Sequence, residues 1–153
     1  MQRKYEYRRH LPHIQKDQPV FITFSTLGRW TLPEMARGLV LDACHRGDGW
    51  KFELHAAVVM PDHVHLLLTP QSDASGPYSL AEIVAGIKRG SAAQINRLLR
   101  RKGSIWQDEW FDHLPRRYES LAAKVYYVCH NPVRAKLAER PEDYRWTYRQ
   151  AEI

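Results

Sequence analysis

An α+β fold is predicted for this 153-residue chain by three observations. Residues 20–26, 52–59 and 63–69 are short apolar runs rich in β-branched and aromatic side chains, as strands are. Residues 33–45 and 79–102 instead carry apolar side chains at three- and four-residue spacing, as helices do. The segments follow the order β-α-β-β-α-β with one further helix behind them. That order is the ferredoxin-like split βαβ pattern, a helix-and-sheet sandwich on an antiparallel sheet.

Each element has its own signal. The helix at 33–45 begins with Pro33, whose fixed φ suits a first turn. A tight Met60-Pro61-Asp62 turn joins the second and third strands. Ser79 with Glu82 three residues on is a capping box that opens the long helix, Leu80, Ile83, Val84, Ile87, Ile95, Leu98 and Leu99 form its buried stripe, and Gly103 stops it. A further strand is expected at 111–117. In the last helix, 119–130, Leu121, Ala122, Val125, Tyr126, Val128 and Cys129 gather on one arc, while Ser120, Lys124, Tyr127 and Asn131 fall opposite. On this reading Tyr126 is core and Tyr127 is free for chemistry. One domain is expected over 1–153, with a basic arm at 1–19 and a tail at 139–153 that reads as a short packed coda.

Composition narrows the function. An apolar content of 44% is enough for a real core. Cys44 and Cys129 are too few for a disulfide framework, and no apolar run approaches the length of a membrane span, so a reducing cytoplasm is the expected home. The net charge of +6 is local: between Ile83 and Gln107 lie Lys88, Arg89, Arg97, Arg100, Arg101 and Lys102 and no acid. Crowded like charges repel unless a polyanion relieves them, which points to a phosphate backbone. Arg3, Lys4, Arg8 and Arg9 interleave with Tyr5 and Tyr7, a mixture suited to unpaired bases and equally to a solvated terminus.

The chemistry-bearing motif is His63-Val64-His65. On a strand the two imidazoles share a face about 7 Å apart, a spacing that lets both address one metal ion and is equally that of two half-buried strand histidines. Asn131 lies four residues beyond Tyr127, where helical side chains stack, although Asn before Pro132 is also a helix stop. With Trp106-Gln107 and Phe111-Asp112-His113 between them, these residues carry a resemblance. The chain resembles the single-tyrosine HUH transposases, in particular the REP-associated tyrosine transposases of bacteria, over about residues 7–148. Arg8-Arg9-His10-Leu11-Pro12-His13, the strand from Val20 to Phe24, Val58-Val59-Met60-Pro61 ahead of the histidines, Ile105-Trp106-Gln107, and the run from Tyr127 to Leu137 match in order. Asp62 stands where Asn is usual and Lys136 where Gly is usual.

The resemblance implies a divalent ion, Mg²⁺ or Mn²⁺, held by His63, His65 and Asn131, with Tyr127 as the nucleophile. Asp62 and Lys124 are candidates for support behind that set. It further implies single-stranded DNA with hairpins as partner, a 5′-phosphotyrosine and free 3′-OH as products of cleavage, a monomer or homodimer, and a place at the bacterial nucleoid. Two nitrogens and a neutral oxygen suit Mn²⁺ better than Mg²⁺, whereas cellular abundance favours Mg²⁺. Histidine-triad nucleotide hydrolases would need a third histidine at position 67, which is Leu67. A structural zinc site would need paired ligand spacing that Cys44 and Cys129 lack. The remaining alternative is a domesticated, non-catalytic hairpin binder, against which the joint presence of Tyr127, His63, His65 and Asn131 argues.

Overall fold

The first strand, β1 (Val20–Ser25), sends Val20, Ile22 and Phe24 to one side and Phe21, Thr23 and Ser25 to the other, as strand geometry requires. A computed structural model describes residues 18–116 and 118–151, so the arm residues Arg3, Lys4, Arg8 and Arg9, and Arg117, lie outside the described residues. After β1 come α1 (Glu34–His45), β2 (Phe52–Val59), β3 (His63–Pro70), a small hairpin of β4 (Ser72–Asp73) and β5 (Gly76–Pro77), and α2 (Leu80–Leu99). β6 (Phe111–His113), α3 (Leu121–Cys129), the one-turn helix α4 (Asn131–Arg134) and β7 (Thr147–Arg149) complete the order.

The main sheet runs β6-β1-β3-β2-β7, and every neighbouring pair is antiparallel. The connection β1-α1-β2 therefore leaps over β3, and β3-α2-β6 leaps over β1, which is the split βαβ interleaving expected from the element order. The tail is a fifth strand of the sheet. β7 pairs with β2, and the buried Tyr144 hydroxyl donates to the Val59 carbonyl at 2.6 Å.

The sheet is covered on both faces. Ala36, Val40, Ala43 and Cys44 of α1 and Leu80, Ile83, Val84, Ile87 and Ile95 of α2 pack on Val20, Ile22, Phe24, Leu54, Ala57, Val59, Val64, Leu66 and Leu68. Val125, Val128 and Cys129 of α3 pack on the other face against Phe21, Ala56, Val58, Met60, Leu67 and Tyr144. Each fully buried Leu or Phe contributes about 1.5–3 kcal/mol, so the larger cluster dominates stability. A β-bulge re-phases β2, because the register steps from Leu54↔Leu68 to Ala56↔Leu67 and leaves His55 as the extra residue. Leu54 and Ala57 consequently share a face despite their odd spacing.

Several expectations are corrected. Pro33 is the N-cap of α1, with ψ 150, rather than its first helical residue. α2 ends at Leu99 instead of near Lys102, because Arg100 turns left-handed (φ 52) with its N–H on the Asn96 carbonyl, while Asn96 Nδ2 donates to Gly103 O at 2.9 Å. Leu98, expected in the buried stripe, is 45% exposed. β6 stops at His113, short of the expected 117, since Pro115 has no N–H for a ladder. In α3 the buried positions are Lys124, Val125, Val128 and Cys129, whereas Tyr126 is 62% exposed. The buried arc is thus rotated from the expected one, Lys124 lies in it, and neither tyrosine does.

Candidate active site

His63 and His65 pair across β3 and β1 with Ser25 and Thr23, on the face that α3 covers. Their Nε2 atoms approach to 3.1 Å. Behind His63, Nδ1 lies 2.7 Å from Asp62 Oδ1. Burial alone would raise the Asp62 pKa, but hydrogen bonds with Arg29 and His63, and their charge, hold it below the usual carboxylate range. An ionised acceptor at that distance places a proton on His63 Nδ1 and turns Nε2 toward His65. Arg29 Nη2, at 3.4 Å from the same nitrogen, is too distant to compete. Its fork instead binds Asp62 twice, at 3.0 and 3.1 Å.

His65 Nδ1 meets the Thr23 hydroxyl at 3.1 Å. A hydroxyl both donates and accepts, so His65 can change tautomer without moving. Burial, then the nearby His63 and Arg134 charges, push its pKa down to about 4, so the ring is neutral at physiological pH. Two imidazoles with converging Nε2 atoms fit a shared cation. At a separation of 3.1 Å both Nε2 atoms could reach one ion. Among the described residues no three His, Cys, Asp or Glu side chains cluster as a metal site. A third protein ligand would accordingly be an amide such as Asn131, and the donor set fits a divalent ion on that condition.

α3 brings the tyrosines to this face, and the structure separates them by a reason other than burial. Both are exposed, Tyr126 by 62% and Tyr127 by 56%. Tyr126 stacks back on His130, ring centres 3.6 Å apart. Tyr127 turns edge-on to Phe21, at 5.8 Å. Phe21 stands one same-face step, about 7 Å, from Thr23, the residue opposite His65. Asn131 opens α4, its Nδ2 donating to Val128 O at 2.9 Å and its Oδ1 accepting from Arg134 at 3.0 Å. The Trp106-Gln107 block ties the following loop to the end of β1: Gln107 N–H donates to Ser25 O at 2.9 Å, and Trp106 Nε1 donates to Ser91 Oγ at 3.0 Å.

The basic residues divide. Arg89, Arg97, Arg100 and Lys102 are exposed. Arg101 lies over the Trp30 ring at 4.7 Å and donates to Asn96 Oδ1 at 3.3 Å. Lys88 departs from the expected free cation. It is half-buried, and its Nζ donates to the carbonyls of Gln107, Asp108 and Glu109 at 2.7, 3.2 and 3.3 Å. Burial lowers its pKa, with the nearby Asp108 opposing that shift. Sequence reading missed Arg29, Thr23 and Arg134. No local pattern marks the first two, which reach the site through chain reversal and strand pairing. Arg134 had a signal, standing seven residues, two helical turns, beyond Tyr127.

A protein of Haemophilus influenzae named as a REP-associated tyrosine transposase is 30% identical over 105 residues, covering 65% of this chain and 58% of its own length. The chain thus spans less than two thirds of that relative. A solved REP-associated tyrosine transposase bound to a REP hairpin is 25% identical with a TM-score of 0.61, over 86% of this chain and 76% of that one. A Deinococcus radiodurans protein classed as a transposase shares the fold, with a TM-score of 0.50 and 21% identity over 83% of this chain and 90% of that one. Among the described residues no helix is long and apolar enough to cross a membrane. The family described as Transposase IS200 like matches residues 39–123, more than half of the sequence, and the chain belongs to that family.

Proposed function

We propose that this protein is a transposase acting on single-stranded DNA, which cuts and rejoins one strand beside a hairpin through a covalent link to Tyr127. The observation that carries this reading is the convergence of the His63 and His65 Nε2 atoms, at 3.1 Å, on the sheet face to which Tyr127 is held. His63, His65 and Asn131 would hold a divalent ion, Mg²⁺ or Mn²⁺, which when bound would polarise the scissile phosphate and offset charge growing on its oxygens.

The chain's own residues do the rest. Asp62 and Thr23 fix the two rings, and Phe21 and Arg134 hold Tyr127. The Tyr127 hydroxyl attacks phosphorus and loses its proton to solvent. The bond from phosphorus to the 3′ oxygen breaks, that oxygen takes up a proton, and a 5′-phosphotyrosine remains. Attack by another 3′-OH reverses the step, so bond energy is conserved and rejoining needs no nucleotide cofactor. The packing of α3 on its own chain's sheet supports a site in which one chain supplies both histidines and tyrosine.

Hairpin DNA is the proposed substrate because a solved relative binds a REP hairpin. The exposed Arg97, Arg100 and Lys102, with the Arg3, Lys4, Arg8 and Arg9 arm, supply cations for its phosphates. A denaturing gel tests the reading: a labelled hairpin with an unpaired flank should become protein-linked in the presence of Mg²⁺ or Mn²⁺. Specific hairpin binding with no adduct under either ion would favour the non-catalytic binder instead.

A further inference from the structure

Arg134 touches two parts of the proposed site and lies near a third. Its Nη2 donates to the Tyr127 carbonyl at 2.6 Å and to Asn131 Oδ1 at 3.0 Å. Its guanidinium also lies 4.4 Å from the centre of the Tyr127 ring, and it is near enough to His65 for its charge to disfavour protonation there. The Asn131 amide is thereby fixed at both ends, since its Nδ2 is on Val128 O. A flipped amide would set an NH₂ group against the guanidinium, donor against donor.

The backbone is built to deliver this side chain. Pro132 lies in the first turn of α4, and the helix closes with Leu137 N–H on Pro132 O at 2.8 Å and Lys136 N–H on Val133 O at 3.0 Å. Lys136 takes the left-handed conformation, φ 61, that this closure requires. Arg134 therefore sits two turns beyond Tyr127 and reaches back along one side of the helix pair.

We propose that Arg134 is a positioning residue for strand cleavage, holding the Tyr127 ring and the Asn131 oxygen in register with the histidine pair. The inference rests on the reading of Tyr127 as nucleophile. Lysine cannot replace the arrangement, because a point charge lacks the planar fork that lies on a ring while one of its nitrogens bridges two acceptors. Two bonds from Nη2 leave Nη1 and Nε, so some contact with DNA is compatible with the clamp but is not its basis.

The test compares Arg134→Gln and Arg134→Lys, both at an exposed position where folding should survive. Single-turnover cleavage at saturating hairpin DNA is measured beside hairpin affinity, and 3-fluorotyrosine NMR follows the Tyr127 ring, assigned by its loss in Tyr127→Phe. Cleavage should slow on the order of 10- to 100-fold in Arg134→Gln, as expected for a misplaced reacting group. Hairpin affinity should stay nearly unchanged, Arg134→Lys should recover little, and the Tyr127 fluorine resonance should shift in both. Weaker binding at an unchanged cleavage rate, or full recovery by Arg134→Lys, would make Arg134 a plain phosphate cation and overturn the proposal. If the unmodified protein forms no adduct, the transposase reading fails separately, and the fluorine resonance alone decides: unmoved in Arg134→Gln, it overturns the clamp. Should Arg134→Gln fail to fold, the same criteria apply to Arg134→Lys.

Discussion

His55 and the pair His63 and His65 stand on adjacent strands of one sheet, yet their nitrogens are treated differently. His55 is 3% exposed, and both ring nitrogens are engaged by other side chains, Nε2 with Thr69 Oγ1 at 2.7 Å and Nδ1 with Gln150 Oε1 at 2.9 Å. In His63 and His65 only Nδ1 is engaged from behind, by Asp62 and Thr23, and the two Nε2 atoms face each other. Strand placement does not separate a structural histidine from an available one. What separates them is what the second ring nitrogen meets: in His55 the Thr69 hydroxyl, in the pair another imidazole nitrogen, so that one cation could take both.

The two tyrosines of α3 extend the comparison and carry the largest expected effect. Tyr127→Phe should abolish the covalent DNA adduct while leaving the fold and hairpin affinity nearly intact. Tyr126→Phe should change cleavage little, as that ring is stacked on His130. An adduct persisting in Tyr127→Phe on a denaturing gel would move the nucleophile elsewhere. Next, His63→Ala or His65→Ala should remove ion-dependent cleavage and Mn²⁺ binding followed by calorimetry. His55→Ala should leave both in place and lower stability by about 1–3 kcal/mol, since Thr69 and Gln150 lose a buried partner. Loss of Mn²⁺ binding in folded His55→Ala would break the distinction.

The cations divide in the same way. Replacing Arg97, Arg100 and Arg101 should flatten the slope of log affinity against log salt, by about 0.7 for every single-strand phosphate left without its cation. Lys88→Gln should leave that slope nearly unchanged and lower the melting temperature instead, because the Lys88 donors hold the 107–109 backbone. Equal slope changes for Lys88 and Arg97 would erase the division.

Smaller effects concern stability. His65 takes up a proton near pH 6.5 in the unfolded chain but only near 4 in the fold. The unfolded state therefore binds more protons between those values, and stability is lost as pH falls through that window. Denaturant melts from pH 7 to 4.5 should show this slope, reduced in His65→Asn. Lys136, at φ 61, carries the steric strain of a left-handed side-chain residue, so Lys136→Gly should raise stability by about 1 kcal/mol. No gain in the urea midpoint would mean that the Lys136 side chain makes a compensating interaction.

The sequence by itself determined the order from β1 to α3 apart from the β4-β5 hairpin, the antiparallel sheet, the Ser79 cap of α2, the shared face of His63 and His65 and the family, but not α4 or β7. These follow from short-range rules: strand alternation, helical spacing and capping act within a few residues, and the motif order needs no coordinates. Even the departure at Lys136 was legible, since a position that usually holds Gly proved to need a left-handed backbone. Only the tertiary structure decided the rest. The arc of α3 that is buried is chosen by the sheet beneath it, so Lys124 goes inside while Tyr126 stays out, against helical periodicity read alone. Whether Lys88 faces solvent or three carbonyls depends on a loop nineteen to twenty-one residues away. Thr23 reaches His65, and Arg29 reaches Asp62, through strand register and chain reversal, pairings between residues 42 and 33 positions apart that no local pattern encodes.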